Sequence, residues 1–107
     1  MSKMIEKSSG NVFADIGLAD SEQELMKAKL TLQVHRLLKQ SNLTQAEAAK
    51  LLRTTQPQIS ALVGLKPVAV SAGRLMEFLT ILGQDVKVVV KPAQRNRAGH
   101  LTVQVGI

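Results

Sequence analysis

Residues 43 to 62 read LTQAEAAKLLRTTQPQISAL, and this stretch decides the fold. Thr44 followed by Glu47 forms a capping box: the threonine hydroxyl takes the N–H three residues on, and the glutamate reaches back to the threonine N–H. A helix therefore opens there and runs to about Leu52. Arg53-Thr54 leaves room only for a tight turn before Thr55, the next N-cap residue. Pro57 then falls in the first turn of a second helix, where a missing N–H does no harm, and that helix ends near Gly64. Helices of about nine residues are hard to stabilise separately, but two joined by so short a turn hold when crossed against each other. Ala46, Ala48 and Ala49 permit the close crossing, with Ala49 at the contact, and Leu52, Ile59 and Leu62 fill the space beneath. The outer side of the second helix is left with Gln56, Gln58 and Ser60 near its start. Their amides and hydroxyl have the reach and chemistry for base edges in a major groove, and glutamine suits adenine in particular.

Working outward, Ser21 with Glu24 repeats the capping-box pattern, and Leu30, Val34, Leu37 and Leu38 recur at helical spacing, so a helix is expected from Ser21 to Gln40. Ser41-Asn42 stops it. Ahead of it, Met1 to Gly10 is polar and aperiodic, and NVFADIGLAD (Asn11 to Asp20) scatters single apolar residues among glycine and aspartate, the look of an arm that is ordered in part at most. On the other side, Leu65 to Val70 contains Lys66-Pro67 and reads as a loop. Ser71 then caps a helix whose Leu75, Phe78, Leu79 and Leu82 form one stripe, ending at Gly83. Beyond Gly83 the period switches to two. Val86, Val88 and Val90 alternate with Lys87 and Lys91, and Leu101, Val103 and Val105 alternate with Thr102 and Gln104, which predicts two strands joined by the basic loop Pro92 to Gly99. The expected architecture is thus a mainly α fold of four or five helices with a C-terminal β-hairpin. It divides into a flexible N-terminal arm (1–20), a helical body (21–84) and the hairpin (85–107), whose exposed edges are a possible dimerisation element.

A chain of 107 residues holds one hydrophobic core, and with two Phe and no Trp or Tyr that core must be aliphatic. The formal charge of +6 suits a polyanionic partner. No cysteine is present, which rules out disulfides, thiolate metal sites and a cysteine nucleophile. The N-terminus lacks the apolar stretch of a signal peptide and no apolar run approaches the ~20 residues that span a bilayer, so a cytoplasmic protein without membrane contact is expected. His35 and His100 are separated and have no nearby carboxylate pairs, which gives neither a metal site nor a catalytic grouping. Neither a cofactor nor an enzyme is expected. Met26 and Met76 sit at positions that fit core filling. Lys50, Arg53, Lys66 and Arg74 flank the second short helix; as a group they suit phosphates, while any one of them reads equally well as a solvated charge. Arg95 and Arg97 in the loop suit a phosphate backbone or merely solvent.

The run TQAEAAKLLRTTQPQISAL resembles the helix-turn-helix of the Xre/Cro family of phage-repressor-like regulators. The resemblance rests on Leu43-Thr44-Gln45, the small Ala49, Thr54-Thr55-Gln56 and the Ile59/Leu62 pair. It implies a sequence-specific transcriptional repressor bound to a double-stranded DNA operator as a homodimer. Gln45 would bind a backbone phosphate, the positions of Gln56, Pro57, Gln58 and Ala61 would face the bases, and Thr44, Lys50, Arg53, Thr55, Ser60 and Lys66 would complete the DNA-binding set. The chain departs from the family in having Arg53 where the turn commonly has glycine, and in Pro57 and Ala61, which offer no side-chain hydrogen bond. Over most of its length the order of arm, helix-turn-helix, SAGRLMEFLTILG and QDVKVVVKP is also similar to HigA-like antitoxins encoded beside RelE-type toxins. That likeness implies an autoregulating antitoxin with a RelE-type toxin as partner, and makes Val12, Phe13, Ile16 and Leu18 the candidate toxin-binding residues. The alternatives are a stand-alone phage-type regulator, or a protein-interaction module that has lost DNA binding.

Overall fold

The structure is a computed structural model that describes residues 20–94 and 98–106. The arm residues Val12, Phe13, Ile16 and Leu18 lie outside the described residues, as do Arg95 and Arg97. Four helices are present among those described: α1 (Asp20–Gln40), α2 (Gln45–Leu52), α3 (Gln56–Val63) and α4 (Ala72–Ile81). None of them is long and apolar enough to cross a membrane.

The described residues divide into two units, residues 27–88 and residues 20–26 with 89–94 and 98–106. In α1 the residues Met26, Leu30, Val34 and Leu38 are buried, each four on from the last, a single stripe along one side of the helix. Leu37 is half-buried beside it. α1 begins at Asp20, so Ser21 lies inside its first turn instead of preceding it.

In the unit 27–88, the core is aliphatic around one aromatic ring: Leu52, Ile59, Leu62, Leu75, Val34 and Phe78 are fully buried. α2 packs on both α3 and α4. Ala48 and Ala49 are the buried alanines of α2, whereas Ala46 is exposed. Helix ends follow local chemistry. Ser71 caps α4 by accepting from the Arg74 N–H at 3.1 Å. At the other end Gly83 takes a φ of +91°, with Gln84 donating to Leu79 O at 2.9 Å, which closes a Schellman turn.

The second unit is small. The Glu22 carboxylate accepts the Leu101 N–H at 3.0 Å and lies 3.2 Å from His100 Nδ1.

The C-terminal β-hairpin expected from the alternating valines is absent: no strand occurs among the described residues. Alternation states only which side chains would share a face if a ladder formed. Here the run Val88-Val89-Val90 is exposed throughout, and no second strand of the same chain is paired with it.

Candidate nucleic-acid interface

The α2–turn–α3 unit is defined by its caps. Thr44 and Glu47 make the reciprocal capping box, with Glu47 N–H donating to Thr44 Oγ1 at 3.1 Å and Thr44 N–H to Glu47 Oε1 at 2.8 Å. α2 ends where Arg53 turns into the left-handed region, φ 56° and ψ 48°, and Thr54 N–H returns to Ala49 O at 2.9 Å. This is the position where glycine is usual, because an L side chain there crowds the following carbonyl. Thr55 then caps α3 by accepting from the Gln58 N–H, and Pro57 stands inside the first turn. α3 ends on the same kind of turn, but the residue with positive φ is Leu65 (54°), not Gly64, with Lys66 N–H donating to Ala61 O at 2.9 Å.

These caps decide what the motif displays. Thr44 and Gln45 stand exposed at the start of α2; Thr55, Gln56, Pro57 and Ser60 stand exposed around the start of α3. Gln58 is half-buried, and its Oε1 accepts a hydrogen bond from the Thr54 hydroxyl, which leaves the amide NH₂ as its available donor. Ala61 is half-buried as well. Lys50 lies in the last turn of α2, Arg53 in the turn itself, and Lys66 past the far end of α3, roughly 12 Å along the helix axis from Gln56. All three cations are exposed, and among the described residues none is held in an ion pair. Residues 48 to 76 contain no Asp or Glu, so α3 is itself uncharged and every charge on its flanks is positive.

Arg74 does something the sequence did not disclose. Its Nη2 donates to Arg53 O at 2.7 Å and to Leu52 O at 3.3 Å, and its Nη1 is bonded to the Glu77 carboxylate. The guanidinium also lies over the Phe78 ring, 4.8 Å from the centroid. It therefore braces the carbonyls that α2 leaves unpaired at its C-terminus, and is not held out toward a phosphate. No spacing rule could have found this, because the partners lie more than twenty positions away. His35 plays a similar part from α1: its Nδ1–H donates to Leu62 O at 3.0 Å, tying the last turn of α3 to the first helix.

A helix-turn-helix domain family matches residues 12–91, most of the chain and all of α1 to α4. A solved structure assigned to the XRE family of transcriptional regulators is similar at 34% identity and a TM-score of 0.70, covering 83% of this chain and 100% of that one. No curated protein matches. Families of this kind are regulators on a non-enzymatic, DNA-binding fold. With its capped α2–turn–α3 unit braced from α4 and α1, the chain belongs to the helix-turn-helix domain family, as a transcriptional regulator of the XRE type.

Proposed function

We propose that the chain is a cytoplasmic, operator-binding repressor that acts as a homodimer and lays α3 in the major groove of double-stranded DNA. The observation that carries this reading is the start of α3: Gln56 and Ser60 are exposed and uncharged on a firmly capped helix, within a stretch free of acidic residues. Gln56 is the principal base reader, and Gln58 contributes through its amide NH₂. Thr44 and Gln45 at the N-terminus of α2, with Thr55, Lys50, Arg53 and Lys66, meet the phosphates. The test is selection by the full chain from a random duplex pool, followed by fluorescence anisotropy on the recovered and a shuffled site across a salt series. A recovered site should bind at least ~10³-fold tighter than the shuffled one. Binding of neither duplex, as expected of a pure protein-interaction module, would overturn the reading.

The antitoxin role is proposed on narrower ground. The family match begins at residue 12, so its span includes Val12, Phe13, Ile16 and Leu18. Isolated apolar residues in a polar arm suit folding against a partner, here a RelE-type toxin encoded alongside. Co-expression with the adjacent gene product should yield a stable complex. Deleting residues 1–19, which leaves α1 whole, should dissolve that complex and preserve operator binding. An intact complex after the deletion would move the toxin surface elsewhere. No complex with the undeleted chain would leave a stand-alone, phage-type regulator.

A further inference from the structure

The segment after α4 reads DVKVVVK from Asp85 to Lys91. It carries the most exposed large apolar side chains in the described structure: Val88 is 72% exposed, Val89 71% and Val90 92%. Three adjacent valines so placed are unusual on a surface that is otherwise rich in lysine and arginine, and they lie in chain that makes no ladder of its own.

The charges at the two ends of the segment are opposite, and they select a partner. An antiparallel pairing of the segment with itself, centred on Val88, sets Asp85 opposite Lys91 at both ends, Val86 opposite Val90, and Lys87 opposite Val89. Moving the centre by one residue toward Lys87 places two Lys87 side chains face to face on the axis. Moving it by one toward Val89 sets Lys87 against Lys91 twice. The half-step registers put each lysine opposite an uncharged residue and pair no opposite charges. Like charges directly opposite weaken a sheet and unlike charges strengthen it, so the register on Val88 is favoured. In that register Val86, Val88 and Val90 of both copies share one face, an apolar patch of six valines, while Asp85, Lys87 and Lys91 take the other face with Val89.

We propose that residues 85–91 pair antiparallel with the same residues of a second copy of this chain, about a two-fold axis through Val88. The ribbon lies between chains, with no hairpin inside either one. The inference rests on the homodimer reading above and names its surface. An isologous contact of this kind gives each recognition helix a symmetry mate, as a palindromic operator requires.

The natural chain has no cysteine, so a single introduced thiol reports on one position. Full-length Val88→Cys should oxidise to a covalent dimer, since residues opposite each other on the axis meet disulfide geometry. Val86→Cys and Val90→Cys should each stay uncrosslinked alone and crosslink when mixed. By sedimentation equilibrium, Asp85→Lys or Lys91→Asp should raise the dimer dissociation constant roughly five- to tenfold, and the double exchange should return it to within about threefold. Circular dichroism of the same samples should show undiminished helix, because the segment lies outside all four helices. A dimeric parent with no Val88→Cys crosslink and indifferent charge variants would overturn the ribbon and leave the homodimer standing. A parent that is monomeric both free and on its operator would overturn both.

Discussion

Gln56 and Gln58 carry the same side chain two positions apart, and the fold gives them different freedom. Gln56 is exposed and its whole amide is open to an adenine edge, whereas Gln58 is half-buried with its carbonyl engaged by Thr54. Gln56→Ala should therefore cost about 1 to 3 kcal/mol on the selected site and relax preference at one base pair. Gln58→Ala should cost less than Gln56→Ala, and Thr54→Val should reduce the effect of Gln58→Ala further by removing its anchor. Anisotropy on single-base variants of the site checks this; equal losses on cognate and random DNA would sink base reading by either glutamine. The residue scale also shows where local sequence signals hold and where they mislead. Thr44 with Glu47, and Thr55, were legible because a cap involves only neighbours within one turn. Gly64 marked the end of α3 correctly, as its C-cap, but the left-handed conformation that a glycine there suggests falls on Leu65 instead. Leu65 is 52% exposed, so Leu65→Gly sets the relief of left-handed strain against the loss of about half a leucine's burial and glycine's entropic cost, and should leave stability within about 1 kcal/mol of the parent. Thermal melts read this directly, and a larger drop in the midpoint would mean that the leucine packs on something that outweighs the strain.

At the scale of elements, α2, α3 and α4 were readable because each carries its own cap and its own apolar stripe, and the start of α1 missed only by a residue. The hairpin was not readable, since a ladder depends on a distant partner that alternation alone does not supply. Arg74 belongs to the same class of nonlocal fact. In the sequence it is one more cation near α3; in the structure it ties the start of α4 to the end of α2. Arg74→Met keeps an unbranched side chain and removes the donors together with the cation over the Phe78 ring. It should lower stability by about 1 to 2 kcal/mol, the part-exposed setting discounting the full worth of a charged hydrogen bond. Its effect on DNA binding should appear as a uniform loss with an unchanged salt slope. Lys50→Ala or Lys66→Ala should do the reverse, leaving the melt alone and flattening the slope of log K against log salt by roughly one unit each. An Arg74→Met protein that melts like its parent and loses salt slope would be releasing a phosphate, and the brace would be dismissed.

At the scale of the whole molecule, the reach of α3 limits what one copy can read. A helix of eight residues is about 12 Å long and meets only a few base pairs in one groove. Each base pair read contributes about 1 to 3 kcal/mol of discrimination, so a single copy cannot set one operator apart from the many competing sites of a genome. Two copies related by a two-fold can, provided that their α3 helices face the same side of the duplex. The operator should accordingly be an inverted repeat with half-site centres about 10 base pairs, or one helical turn, apart. Inserting about 5 base pairs between the half-sites turns one of them to the opposite face of the duplex, and affinity should fall to that of an isolated half-site. Inserting about 10 restores the face but adds roughly 34 Å to the span, so a rigid dimer should recover little of the loss. Anisotropy at fixed salt on these three duplexes and a lone half-site separates the cases. If the lone half-site binds as tightly as the full operator, recognition is monomeric and the need for a two-fold disappears with it.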